Sequence, residues 1–277
     1  MTLHEPPAPL HPLDHLLRLG RPAVMGIVNV TPDSFSDGGR FIEPEVAISH
    51  ARTLIVDGAD ILDIGAESTR PGAPAISAEE EWSRLEAVLP EVVALGIPVS
   101  IDTMKSEIAR RAIEHGVRIV NDVWGLQRDP GMAHVAAEHD AGLVIMHNRE
   151  AADPAIDILE EIEKFFARSL KIAAAAGIRP ERIVLDPGIG FGKTPEQSIR
   201  VLAQLPRLKS FGFPLLVGLS RKRFIATISP SKPDQRVGGS LAANLFAAAQ
   251  GASILRVHDV FETVQALRVA AAIEQAR

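Results

Sequence analysis

The chain contains no cysteine. That excludes a disulfide, a thiolate nucleophile and a Cys-ligated zinc, and leaves the compartment open. There is no basic excess either: 29 Lys and Arg stand against 35 Asp and Glu, a net charge of −6. A nucleic-acid-binding surface normally shows a basic stripe, so no nucleic-acid partner is expected, and any anion site must be a local pocket of arginine and lysine. No segment reaches the roughly 18 uninterrupted apolar residues of a membrane-spanning helix. The opening stretch MTLHEPPAPLHPLDHLLRLG has four prolines and no basic region followed by an apolar run, so it does not read as a secretion signal. The expectation is a soluble cytoplasmic protein with no membrane partner. Like-charge runs, biased repeats and Gly/Ser linkers are also missing, so nothing marks an internal boundary. One domain over residues 21–277 is expected, with residues 1–20 as an extension outside the main fold.

What is present is 277 residues of ordinary globular composition, 46% hydrophobic and 23% charged. Short apolar runs predict strands at 23–28, 60–64, 97–101, 117–121, 143–147, 182–186, 214–219 and 253–258. Amphipathic patterns between them predict helices near 44–57, 78–95, 104–115, 130–140, 155–176, 195–210, 237–250 and 260–275. Ser77 with Glu80, Thr194 with Gln197, and Asp259 with Glu262 have capping-box spacing. Gly58, Gly96, Gly116 and Gly177 stand where helix ends need positive φ. Continuous Val/Ile/Leu runs alternating with helices indicate parallel strands covered by helices. Eight such units define an α/β fold of the (β/α)8 TIM barrel type, for which about 250 residues is typical. A doubly wound open sheet is the alternative, and its dinucleotide fingerprint is missing. The segment DPGIGFGKT, residues 186–194, fails as a phosphate loop because Pro187 occupies the first glycine position, and fails as a dinucleotide motif at Lys193. Its glycines instead suit a turn whose backbone passes close to a ligand.

All eight strand ends carry polar groups. Asn29, Asp102, Asn121, Met146-His147-Asn148, Asp186, Ser220-Arg221-Lys222 and Arg256-Val257-His258 close strands 1 and 3 to 8, and LDIGAESTRPG follows strand 2. In a barrel of this class the carboxyl ends form the active-site face. Asp102 or Asn121 taken alone has an equally good reading as the cap of the next helix. Arg256 and His258 are two apart on a strand and share a face, while Val257 points away. Taken together, Asp102 and Asp186 as acceptors and Asn121 as donor and acceptor suit the edge of a heterocycle. Arg256, His258, Asn29, Arg70 and Lys222 suit phosphate. Lys222 also fits an aldolase-type Schiff base, which the spacing leaves open. The nine histidines form no H-x-H pair, and zinc is not expected, whereas magnesium held partly by substrate phosphates would leave almost no motif.

The segments MGIVNVTPDSFSDGG, DILDIGAESTRPGA, VSIDT, IVNDVWG, VIMHN, LDPGIGFGKT, VGLSRKRFI and ILRVHDV resemble, in order, the signature segments of the dihydropteroate synthase family, from about residue 22 to 260. The resemblance implies a barrel, often a homodimer, that joins p-aminobenzoate to 6-hydroxymethyl-7,8-dihydropterin pyrophosphate in folate synthesis. It implies that Asp102, Asn121, Asp186 and Lys222 hold the pterin, with Met146 and Phe191 packing on its ring. Asn29, Arg256 and His258 would hold the pyrophosphate, Asn29 also serving as a ligand of Mg2+. Phe35, Thr69, Arg70, Pro71 and Ser220 would shape the p-aminobenzoate side. Lys222, Arg256 and Asp102 would carry the catalytic roles. The stretch NVTPDSFSDGG would close over the pocket together with the ESTRPGA loop. Arg223, where the family often has a small hydroxyl residue, MHNRE after strand 5, and Ala66 depart from the pattern. Two related readings stay open: a pterin-dependent methyltransferase of the neighbouring barrel group, and a non-catalytic pterin-binding paralogue.

Overall fold

The structure, a computed structural model, describes residues 11–31, 44–68 and 74–276. Its strands are β1 (Ala23–Asn29), β2 (Ile61–Gly65), β3 (Val99–Asp102), β4 (Ile119–Asp122), β5 (Gly142–Met146), β6 (Ile183–Asp186), β7 (Leu216–Gly218) and β8 (Ile254–Val257). They are all parallel and pair in the order β6-β5-β4-β3-β2-β1-β8-β7. The seam between β6 and β7 is closed by a bridge between Leu185 and Leu215, where the Leu185 N–H donates to the Pro214 carbonyl at 2.9 Å. This is the expected (β/α)8 barrel. A doubly wound sheet would keep two open edges.

The helices are α1 (Pro12–Leu16), α2 (Pro44–Val56), α3 (Ala78–Leu85), α4 (Leu89–Val93), α5 (Ser106–Glu114), α6 (Gly131–Glu138), α7 (Ile158–Ala175), α8 (Pro195–Ala203), α9 (Leu205–Leu208), α10 (Arg223–Ile228), α11 (Val237–Ala249) and α12 (Val260–Gln275). Two predicted helices are broken in two. Pro90 and Pro206 each stand near the start of the second piece, because proline lacks an N–H and its ring clashes with the preceding turn. Ser77 accepts from the Glu80 N–H, and Thr194 with Gln197 forms a full capping box. Asp259 does not cap α12 with its side chain; its carboxylate pairs with Arg221 instead. The four helix-ending glycines all have positive φ.

Strand alternation builds two cores. Outward residues such as Val24, Leu62, Ile101, Val120, Leu143, Leu185, Val217 and Leu255 pack beneath the helices. Inward residues Ala23, Met25, Ile61, Ile119, Val144, Val184, Leu216 and Ile254 fill the barrel at its amino-terminal end, together with Leu13 and Leu16 of α1. The expectation that residues 1–20 lie outside the fold is thus corrected for the described part. Helix α1 plugs the barrel floor, because that ring of apolar side chains would otherwise meet water. Burying each leucine contributes about 1.5–3 kcal/mol. An ion pair from Asp14 to Arg182, at 3.2 Å, ties the plug to the start of β6.

Candidate active site

One step above the apolar layer, the inward positions become polar. Asp63, Ser100, Asp102, Asn121, Asp186 and Arg256 all lie on strands β2 to β8, near their carboxyl ends. Arg256 donates from Nε to Asp63 at 2.5 Å and from Nη2 to Asp102 at 2.6 Å. Asp63 also accepts from the Ser100 hydroxyl and, at 3.1 Å, from the Asn121 amide. The anions beside Arg256 are therefore the protein's own carboxylates. Neither Asp102 nor Asn121 caps a following helix. The turn after β4 is held by Asp122, which accepts from the N–H groups of Trp124 and Leu126.

Two acceptors are left over. Asp102 Oδ1 and Asn121 Oδ1 are buried with no hydrogen-bond partner among the described residues. Buried acceptors without donors are costly, so Asn121 Oδ1 in a pocket wall with Asp102 Oδ1 beside it points to a ligand that brings N–H groups. Asn121, Met146, Asp186, Phe191, Lys222 and Arg256 line one pocket, together with Val123, Gly188, Ile189 and Gly218. Lys222 Nζ lies 4.2 Å from the centroid of the Phe191 ring, a cation–π contact. All six residues expected to hold the pterin are thus brought together: five of them line this pocket, and the sixth, Asp102, joins it through Arg256.

Burial sets the charge states. It raises Asp102 to about 7, against the pull of Arg256, and Asp186 to about 6, against the Gly188 N–H and Lys222. Arg256 resists its own burial through Asp63 and Asp102 and stays protonated above its ordinary range. Burial, with Arg256 and Arg221 adding repulsion, lowers His258 to about 3, so its imidazole is neutral at pH 7.

The loop after β6 depends on a left-handed glycine. Gly188 has φ of +64°, and a Cβ there would fall 2.0 Å from the His147 carbonyl oxygen. Its N–H reaches Asp186 at 2.7 Å. Buried Lys193 then ties the loop down, bonding the Gly188 and Phe191 carbonyls and His147 Nδ1 at 2.7–3.0 Å. Gly188 thus serves a turn packed against the chain's own His147 carbonyl, and Lys193 braces a pocket wall.

On the neighbouring rim, after β7 and β8, Ser220 and His258 are in contact, with Nδ1 and Oγ 3.0 Å apart. Arg221 takes left-handed φ of +58° there, held by Ser240, Arg236 and Asp259. Strands β1 and β8 are neighbours, so Asn29 ends beside the strand carrying Arg256. Arg223 is exposed at the start of α10. Phe35, Thr69, Arg70 and Pro71, and most of NVTPDSFSDGG, lie outside the described residues. The sequence reading missed Asp63, whose only signal is an acidic residue at an inward position of an apolar strand. It also missed Lys105, which bridges Glu67 and Glu81 at 2.6 Å each; Glu67 in turn accepts from the Ile76 N–H.

A barrel with a polar upper interior and unpaired acceptors facing a pocket defines a binder of a nitrogen heterocycle. The family model described as pterin binding enzyme matches residues 25–258. The Bacillus subtilis dihydropteroate synthase is 45% identical over 238 residues, 86% of this chain and 83% of the relative. The Synechocystis enzyme of the same name is 47% identical, covering 91% of this chain and 90% of its own. Among solved structures, the Clostridium difficile dihydropteroate synthase with pteroic acid superposes with a TM-score of 0.88 at 46% identity, over 91% of this chain and 97% of that one. The chain belongs to the pterin-binding enzymes and, within them, to the dihydropteroate synthase family.

Proposed function

We propose that this chain condenses 6-hydroxymethyl-7,8-dihydropterin pyrophosphate with p-aminobenzoate to give 7,8-dihydropteroate and pyrophosphate. The observation that carries this reading is the pair of buried acceptors without a partner among the described residues, Asn121 Oδ1 in a pocket that Asp186 and Lys222 complete and Asp102 Oδ1 beside it, on the carboxylate that holds Arg256 of the pocket wall. A pterin ring offers amide and amino N–H groups to acceptors arranged in this way. Solved Xanthomonas albilineans relatives bind 4-aminobenzoic acid and 7,8-dihydropteroate.

The ring would sit between Met146 and Phe191, with its donors on Asp102, Asn121 and Asp186. Lys222 supplies positive charge at the mouth. The diphosphate arm would reach the β1 and β8 ends, where Asn29 and His258 stand, with Arg256 below. The C–O bond to diphosphate breaks first and leaves a methylene cation conjugated with the ring. The arylamine nitrogen then forms the C–N bond and gives up one proton to the released diphosphate. Fixed cationic groups that face the departing charge lower this barrier without rearranging, a contribution that often dominates catalysis.

Magnesium fits as part of the same reading. Among the described residues no group of three or more His, Cys, Asp or Glu could hold a metal. Mg2+ shared with phosphate oxygens needs only one or two protein oxygens, and the Asn29 amide at the β1 end suits that role. Bound there, the ion would neutralise developing diphosphate charge.

A homodimer belongs to the proposal because Phe246 of α11 and Phe261, Val269 and Ile273 of α12 are exposed on two helices that pack together. Light scattering at twice the 29.7 kDa chain mass is the expected result. A cytoplasmic location follows from the substrate, since a multiply charged diphosphate does not cross a bilayer unaided. No helix among the described residues is long and apolar enough to cross a membrane.

The test is to mix protein, Mg2+, p-aminobenzoate and the dihydropterin pyrophosphate and to follow dihydropteroate by mass spectrometry. Product that requires p-aminobenzoate and is lost in Lys222→Ala supports the synthase. Pterin binding without product would favour the non-catalytic reading, and a borohydride-trapped adduct on Lys222 would favour Schiff-base chemistry.

A further inference from the structure

Asp63 has its side chain fully shielded from solvent. It lies below the pocket and does not line it. Yet it is the hub of the polar layer: it receives Arg256 Nε at 2.5 Å, Asn121 Nδ2 at 3.1 Å and the Ser100 hydroxyl. A carboxylate offers acceptors only, so the group of Asn121 that faces Asp63 must be its NH2. The amide oxygen is then turned the other way, and it is this Oδ1 that is buried without a partner among the described residues. The same carboxylate fixes Arg256, whose second partner, Asp102, keeps one oxygen for Arg256 and leaves the other unpaired.

We propose that Asp63 is a positioning residue of the pterin site: it orients Asn121 so that the carbonyl oxygen faces the ligand, and it holds Arg256 where that arginine orients Asp102. The inference rests on the pterin-site reading above. It assigns the pocket's acceptor pattern to a residue that never touches the ligand. Rotating the Asn121 amide would present a donor to a donor, and Asp63 makes that rotation unfavourable.

The experiment is calorimetric titration of 6-hydroxymethylpterin into the full chain, with thermal melting of each variant. Asp63→Val removes both acceptors and is expected to weaken pterin binding by about tenfold or more, as for a lost buried partner. Asp63→Asn keeps one oxygen for Arg256 and Asn121 and turns its amide to Ser100. It is expected to stay within about threefold of wild type, since the acceptor survives. Ile61→Ala, two residues below on the same strand, supplies a control that loses stability and keeps pterin affinity. A folded Asp63→Val with wild-type affinity overturns the proposal. So does an Asp63→Asn as weak as Asp63→Val, which would make charge rather than acceptor geometry responsible.

A second measurement needs no variant at the hub and does not depend on pterin binding. The chain has four asparagines, Asn29, Asn121, Asn148 and Asn244. With 15N-asparagine labelling, the Asn121 NH2 pair, assigned by its loss in Asn121→Asp, is expected to exchange slowly with water in the free protein. Exchange at the rate of an exposed amide would overturn the proposal even if Asp63→Val does not fold. Failure of the wild type to bind pterin, with Asn121 protected, would instead count against the functional reading alone.

Discussion

Inside the barrel, Ile61 and Asp63, Ile119 and Asn121, Val184 and Asp186, and Ile254 and Arg256 are pairs on the same strands, two residues apart. The lower member of each pair joins the apolar floor, and the upper member joins the polar layer. One strand therefore serves stability at its amino end and recognition at its carboxyl end, with a single pleat between them. The floor is satisfied by the chain itself through Leu13 and Leu16. The upper layer is not, because two of its acceptors find no donor among the described residues.

Breaking the upper layer has the largest expected effect. Arg256→Met leaves Asp63 and Asp102 buried together without their cation, a change of the kind that costs about 3–5 kcal/mol. Denaturant melts should show that loss, and pterin binding should vanish with it. Leu16→Ala breaks the floor and is expected to cost about 2–5 kcal/mol of stability. At a temperature where the variant is folded, its pterin affinity should match wild type. Reduced affinity would mean that the two layers are coupled.

Asp186→Ala sharpens the comparison. It removes one upper acceptor, and pterin affinity is expected to fall by about 1–3 kcal/mol because ligand donors lose their partner. Unchanged affinity would refute that role.

The smallest expected effect is on pH dependence. Asp102 is raised to about 7 and Asp186 to about 6, both by burial. The folded state thus holds these protons more tightly than the unfolded chain. Between the ordinary aspartate range and about pH 7, the ligand-free protein should lose stability as pH rises. Pterin donors favour the ionised carboxylates, so pterin affinity should strengthen over the same window. Asp102→Asn should flatten both trends, as read by melting and calorimetry.

The sequence made most of this visible for a physical reason. Buried parallel strands read as apolar runs, and every strand lies within two residues of its predicted bounds. The polar residues at the strand ends were legible because each interrupts such a run. Asp63 was not, since one acidic residue inside a strand carries no period of its own. Its inward parity with Ile61 becomes informative only once the barrel is built. The pairing of Lys193 with His147 spans 46 residues, and no local signal links them. Helix α1 was missed because Leu13 and Leu16 are too few to define a face, and the surrounding prolines read as a tail. The Asp259 cap failed because Arg221 competes for its carboxylate.

The most direct test of the account is a crystal structure of the chain with 6-hydroxymethylpterin. Asp102 Oδ1 and Asn121 Oδ1 are expected within about 2.7–3.2 Å of ring or amino nitrogens, with the ring between Met146 and Phe191 and the Asn121 amide still on Asp63. A pterin bound elsewhere, or one that leaves those two oxygens without a donor, would contradict it.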